Sequence, residues 1–239
     1  IALNGDPENN SIDVRDYQTF WLGVKTNLKG YNPTAPDAVL PALADISAYL
    51  YNDHITDPLI KAALVHYQFE MIHPFERYNG IVGRIIVPMV LRDTIGEAMP
   101  LICLSEYLYH NKNEYFDLLR TTQYSGGYIR WIKFFVCAVG EAAKQSAKLL
   151  AQYENDILWA EQQIKENTLS SKSIWGVYNY LKRYPVSSIS RATEQTRFSF
   201  NSISKAMQSL KKTGIVQETA EVRNRIWVYK KLIENLWYF

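Results

Sequence analysis

Only two cysteines, Cys103 and Cys137, occur in the 239 residues. That is too few for a disulfide framework. Both stand in apolar runs, Leu101-Ile-Cys103 and Phe134-Phe-Val-Cys137. They are therefore expected as buried thiols rather than as a disulfide or a metal pair, a usage that suits a reducing cytoplasm. No run of about 18 apolar residues exists, which removes a membrane-spanning helix. Internal repeats and low-complexity segments are also missing. The chain opens Ile1-Ala-Leu-Asn-Gly5 without a methionine, and further residues are expected upstream.

Acidic residues are scarce in one region. Residues 168–239 hold 12 Lys+Arg and 4 Asp+Glu, a net of +8, whereas residues 1–167 hold 14 and 20, a net of −6. The overall +2 conceals an acidic body joined to a basic tail. A compact basic module with few acids is what a polyanion binder requires; a solvated basic face is the alternative. Apolar residues make up 47% and charged residues 21%, an ordinary globular balance. The length allows one or two domains.

The body reads as helices. Pro36-Asp37 precedes Val39, Leu40, Leu43, Ile46 and Leu50, spaced for one helix face. Asp57-Pro58 supplies a cap and a proline at the first helical position of a segment running from Leu59 to Ile72. A further apolar helix is expected from Gly80 to Ile95, and another from Ser105-Glu106 through Leu119. Gly126-Gly127 breaks the chain, and one long helix then runs from about Tyr128 to Ile164, a strut from body to tail. Before the first helix, Phe20-Trp-Leu-Gly23 and Val24-Lys-Thr26 resemble a strand pair.

The most informative stretch is His73-Pro-Phe-Glu-Arg-Tyr-Asn-Gly-Ile-Val-Gly-Arg84. Asn79-Gly80 leads into a helix whose free N–H groups and dipole favour an anion. Arg84, four residues after Gly80, can point back at the same anion. His73 ends the preceding helix. Beside a bound phosphate, an imidazole is suited to take a proton from an attacking hydroxyl; alone, it would simply cap a helix end.

This segment resembles the signature of the Fic (Fido) family, His-Pro-Phe-x-(Asp/Glu)-Gly-Asn-Gly-Arg-x-x-Arg. Ala63 to His73, Leu104-Ser-Glu-Tyr107 and Asn111 to Leu119 are similar to helices around that signature. Trp21-Leu22-Gly23 followed by Tyr31 to Pro36 resembles the family's flap and its exit. The resemblance covers roughly residues 15–165 and implies a mainly α fold, a helical bundle with a small β-hairpin flap. It implies that His73 is the general base of a protein adenylyltransferase moving AMP from ATP to a protein Ser, Thr or Tyr hydroxyl. It further implies that Phe75 anchors the loop, that Asn79, Gly80 and Arg84 hold phosphate, and that Trp21, Leu22 and Gly23 belong to a target-docking flap pairing by strand addition. The target could be the chain itself. An inhibitory helix whose glutamate would pair with Arg84 is not found ahead of the body.

Three positions depart from the signature. Arg77 replaces the metal-binding acid, Tyr78 the first glycine and Ile81 the first arginine. Without the acid, Mg²⁺ loses its only obvious protein ligand, so no metal ligand is assigned and ATP is expected to be held weakly or not at all in Mg²⁺. Arg77 could instead place a positive charge where the metal would sit. Tyrosine does not readily take a positive φ, and Ile81 offers a phosphate no charge. A lost transition-state donor costs on the order of 10²–10³ in rate. These departures set the adenylyltransferase reading against a catalytically inactive Fic scaffold that regulates through its tail, and against an enzyme using another phosphate-containing donor.

In the tail, Ser173 to Arg183 shows helical spacing, Val186-Ser-Ser188 leads into a short segment at 189–196, and Ser199 precedes a helix carrying Ile203, Ala206, Met207 and Leu210 and ending at Gly214. Ile215 to Thr219 and Arg225 to Tyr229 alternate like a hairpin. Three helices and a two-stranded wing look like a winged helix-turn-helix domain, a tail that Fic-like proteins often carry. The third helix would enter a major groove with Asn201, Ser204, Lys205, Gln208 and Lys211, while Arg223 and Arg225 would reach phosphate. A docking or dimerisation domain, giving a homodimer, is the other reading. The expected domains are 1–166 and 167–239.

Overall fold

The computed structural model describes residues 13–19, 31–96, 102–167, 171–219 and 225–237. The expected flap residues Trp21, Leu22 and Gly23, and Arg223 of the tail, lie outside the described residues. The molecule is mainly helical with a small antiparallel sheet. It divides into two compact units, Ile1–Ser146 and Ala147–Phe239. The division falls inside the long helix, because Ala160 and Ile164 of that helix are buried with the apolar residues of the tail.

The first unit contains α1 (Pro36–Asn52), α2 (Pro58–Ile72), α3 (Asn79–Val90), α4 (Arg92–Ile95), α5 (Ser105–His110), α6 (Lys112–Ser125) and the start of α7 (Tyr128–Glu166). The Asp57 side chain accepts from the amides of Leu59 and Ile60, with Pro58 in the first turn, so α2 begins where the cap and proline dictate. Its buried residues lie all round it, from Ala62 through Ile72, which makes it the central helix of this core. Ala62 and Ala63 are small and fully buried. They let α7 approach closely enough for Trp131 Nε1 to donate to the Ala63 carbonyl at 2.8 Å. Phe135, Leu119, Leu104 and Leu91 close the core around this contact.

Several expectations shift. On α1 only Val39 is buried, and Leu40, one step around the helix, is 65% exposed. The apolar helix expected over 80–95 ends at Val90, with Leu91 in a turn before α4. Pro88 inside α3 lacks the N–H that would bond the previous turn, which weakens the helix there. The helix expected from Ser105 through Leu119 is interrupted at Asn111, whose Nδ2 donates to the Tyr107 carbonyl at 2.9 Å. This local bond competes with helical continuation. Gly126 takes φ +67° as α6 ends, as the Gly-Gly break anticipates. Both cysteines are free and exposed, contrary to the buried expectation. Cys103 lies on the non-helical link before α5, and Cys137 points out of α7 while its neighbour Ala138 is buried. An apolar run sets the neighbourhood of a residue but not its helical phase.

The second unit contains α8 (Lys172–Arg183), β1 (Val186–Ser188), α9 (Ile189–Gln195), α10 (Phe200–Lys212), β2 (Val216–Glu218), β3 (Ile226–Tyr229) and α11 (Lys230–Trp237). Ser171, Ser188 and Ser199 cap α8, α9 and α10, each accepting a backbone N–H. The hairpin of β2 and β3 forms as its alternation anticipates. Segment 186–188 adds a third strand, giving the antiparallel order β1-β3-β2 with Ser187 opposite Trp227 and Gln217 opposite Val228. Tyr178, Leu181, Ile203, Met207, Leu210, Trp227 and Tyr229 fill this unit's own core. No helix among the described residues is long and apolar enough to cross a membrane.

Candidate functional site

The loop between α2 and α3 is built around two left-handed residues that are not glycine. His73 closes α2 with φ 48° and ψ 60°, and Tyr78 precedes α3 with φ 70° and ψ 9°. Each such residue costs about 1 kcal/mol or more, so the surrounding bonds must hold it. Asn79 does much of this. It is 3% exposed, its Oδ1 accepts from the Phe75 amide at 2.9 Å and its Nδ2 donates to the Phe75 carbonyl at 2.7 Å. Its side chain therefore closes the loop, and only its backbone amide remains for an anion. Phe75 is half-buried, faces the ring of Phe69 and bridges to Val14.

Tyrosine at position 78 was expected to resist the glycine-like turn, yet it adopts it. At the start of α3 the Tyr78 carbonyl accepts from Ile81 and Val82. No acceptor meets the amides of Asn79 and Gly80 among the described residues, so they form the open, partly positive end of the helix. Arg84 points back over this end. Its Nη1 lies 3.2 Å from where a Cβ on Gly80 would stand, and its Nε donates to Ser105 Oγ at 3.0 Å. Arg77 is exposed and Ile81 half-buried.

His73 is held from both sides. Arg15 is 4% exposed and turns its guanidinium onto backbone carbonyls. Nε donates to His73 O at 2.8 Å, Nη2 to Ile72 O at 3.0 Å and also to Thr34 O, and Nη1 to Tyr17 O at 2.8 Å. The Arg15 amide adds a bond to Pro74 O at 2.9 Å. The Tyr31 hydroxyl lies 3.1 Å from His73 Nδ1. Burial, and then the nearby Arg15 charge, hold the His73 pKa below its ordinary value, so the imidazole is neutral at neutral pH and able to accept a proton.

Two further groups lie beneath the loop, and neither was singled out from the sequence. Glu70 is 4% exposed, and its Oε1 has no hydrogen-bond partner. Burial pushes its carboxyl up to about 7, against the opposing pull of Arg84. Gly83 makes room for it: a Cβ there would stand 2.5 Å from Glu70 Oε1. His66, fully buried, has Nδ1 2.9 Å from Gly83 O and Nε2 3.0 Å from the Tyr115 hydroxyl. A carbonyl only accepts, so Nδ1 carries the proton and Tyr115 donates to Nε2. Burial takes this histidine down to about 4. The spacing of His66, Glu70 and His73 on successive turns of α2 is the signal that could have found this stack.

In the tail, Asn201, Lys205 and Gln208 are exposed on one side of α10, and Ser204 is half-exposed. Lys211 and Arg225 are exposed too, but both pair with Glu218, at 2.7 Å and 3.2 Å.

Comparison with known proteins gives consistent results. The Fic/DOC family model matches residues 5–91. The protein adenylyltransferase fic-1 of Caenorhabditis briggsae is 38% identical over 64 residues, 26% of this chain and 12% of that protein. Its Caenorhabditis elegans counterpart is 34% identical over 64 residues. A probable protein adenylyltransferase of Aquifex aeolicus (strain VF5) is 28% identical over 119 residues, 45% of this chain and 34% of that protein. The chain thus spans only a minor part of the curated relatives it matches. The crystal structure of a Fic family protein from Desulfovibrio desulfuricans G20 aligns with TM-score 0.51 and 14% identity, over 91% of this chain and 62% of that one, a likeness of fold. The sequence similarity to the Fic/DOC family thus falls in residues 5–91.

Proposed function

We propose that this domain is a slow protein adenylyltransferase that works on ATP without a metal. A hydroxyl oxygen of a protein Ser, Thr or Tyr attacks the α-phosphorus. The bond from that phosphorus to the α,β-bridging oxygen breaks, pyrophosphate leaves, and the hydroxyl proton passes to His73. The amides of Asn79 and Gly80 and the guanidinium of Arg84 meet the phosphate charge. The observation that carries this reading is the left-handed Tyr78. With it the loop keeps the turn that opens α3 toward an anion, even with glycine gone. The residues present do not fit Mg²⁺, because the exposed cation of Arg77 stands where the resemblance calls for a carboxylate. Arg77 supplies positive charge to phosphate instead.

Full-length protein incubated with ATP labelled on the α-phosphate tests this. Slow covalent labelling of itself or of added protein is expected, equal with EDTA or Mg²⁺ and lost in His73→Ala. Absence of label, or label that requires Mg²⁺, would overturn it. The combined variant Arg77→Asp, Tyr78→Gly, Ile81→Arg should label faster, and only with Mg²⁺.

The second unit supports a separate reading, a winged helix-turn-helix domain that binds DNA. It rests on the exposed stripe Asn201, Lys205, Gln208 in a segment of net charge +8. Lys211 and Arg225, tied to Glu218, take a lesser part. Gel-shift affinity should fall steeply with salt, with a slope of about −0.9 per phosphate contacted. Binding that ignores salt, or that Lys205→Ala leaves untouched, would count against it.

A further inference from the structure

We infer that an anion bound at the start of α3 drives a proton from solvent onto Glu70, so that the site takes up its ligand and a proton together. The inference rests on the reading of the α3 end as a phosphate site, but its content is the charge of one buried carboxyl. Glu70 is 4% exposed, and its Oε1 has no hydrogen-bond partner. The carboxyl lies against α3 where two glycines thin that helix. Oε1 is 2.5 Å from the place of a Cβ on Gly83 and 4.0 Å from that of a Cβ on Gly80. Arg84 Nη1 flanks the same point of Gly80 at 3.2 Å. The amides that open α3 toward an anion, the guanidinium over them and the carboxyl beneath them thus meet at Gly80.

The groups around Glu70 supply little charge of their own. Tyr115 faces it from α6 and Tyr31 from the segment before α1, and burial keeps both phenols protonated. His66 and His73 stand about one turn to either side on α2, and burial lowers both imidazoles, so they are neutral at neutral pH. Arg15 turns its guanidinium onto carbonyls at the end of α2. Arg84 supplies the charge that acts on Glu70, and it opposes the effect of burial. A bound anion changes this balance twice. It brings like charge to the other side of Gly80, where little water separates it from the carboxyl, and it engages the guanidinium that had favoured the carboxylate. Both changes favour the protonated acid. The proton goes to the Glu70 carboxylate, and no other bond changes.

The test is ¹³C NMR on the full chain labelled at the glutamate carboxyl carbons, titrated from about pH 5 to about pH 9. Glu70→Gln or Glu70→Asp assigns the signal, since either removes it. The probes are ATP with EDTA and, separately, sodium sulfate. Alone, Glu70 is expected to titrate at about 7. With either probe at saturation its midpoint should rise by about one unit or more. Calorimetry gives a second readout. Glutamine imitates the protonated acid, so Glu70→Gln should bind metal-free ATP about fivefold more tightly than the wild type at about pH 8, and equally at about pH 6. A Glu70 midpoint that neither probe moves would overturn the inference. ATP binding that shifts the Gly80 amide and leaves that midpoint alone would overturn it too, with the adenylyltransferase reading intact. A midpoint moved by sulfate, in a protein that binds no ATP, would overturn the adenylyltransferase reading and leave this inference standing.

Discussion

Glu70 and His66 sit one turn apart on α2, and their titrations oppose each other. Burial raises the Glu70 carboxyl to about 7 and lowers His66 to about 4. The carboxyl contributes stability that is complete below its unfolded value near 4.5 and is lost as pH rises through about 7. His66 contributes stability that is complete above its unfolded value near 6.5 and is lost as pH falls through about 4. Each effect is worth about 3 kcal/mol, and because the two windows overlap, their opposite pH dependences nearly cancel there. Glu70→Gln removes one side. Its unfolding free energy by urea titration should rise by about 2–3 kcal/mol from pH 4 to pH 6.5, where the wild type stays comparatively flat. Equal pH profiles for the two proteins would refute the opposition. Neither group was singled out beforehand, because a lone carboxylate or histidine in an apolar helix does not say which face is covered until the neighbouring helices are placed around it. Arg15 was hidden for a related reason: its acceptors are backbone carbonyls up to 58 residues away, and carbonyls leave no mark in a sequence.

The loop from His73 to Tyr78 behaves as an element in its own right, closed by one side chain. Asn79 both accepts from and donates to Phe75, which an aspartate cannot do, since it only accepts when ionised. Asn79→Asp should therefore lose about 1–3 kcal/mol of stability, and Phe75 and Tyr78 amides should exchange faster in hydrogen exchange while those of α7 do not. Unchanged protection at Phe75 would show that other bonds hold the turn. Helix starts were legible at Asp57 and Ser199, where a capping side chain directly precedes an apolar helical pattern. Helix interruptions at Leu91 and Asn111 were not. Leucine carries no breaking signal, and the Asn111 bond to Tyr107 is one that asparagine makes in many settings. The short strand β1 escaped notice because three residues are too few to show alternation, and its pairing with β3 is decided by a segment some 40 residues later.

At the scale of the whole molecule, each unit has a separate set of buried residues, one around Trp131 and one around Trp227. Leu119 and Leu210 are fully buried in the first and second set respectively. Leu119→Ala and Leu210→Ala should each remove about 2–5 kcal/mol from their own unit. Calorimetry should then show two transitions, each variant lowering a different one; a single transition lowered alike by both would mean that the units unfold together. The charge asymmetry and the long helix made two units legible. The position of the division was not, because the distal part of α7 looks like a charged strut while its Ala160 and Ile164 are fully buried. Arg15 has one more consequence, and it concerns time. The guanidinium that fixes His73 leaves the ribosome long before residues 72 and 73 exist. The site therefore cannot mature locally, and its assembly waits on a loop closure of 58 residues, a slow class of folding event. The histidine is held by a residue that is synthesised well before it and seated late.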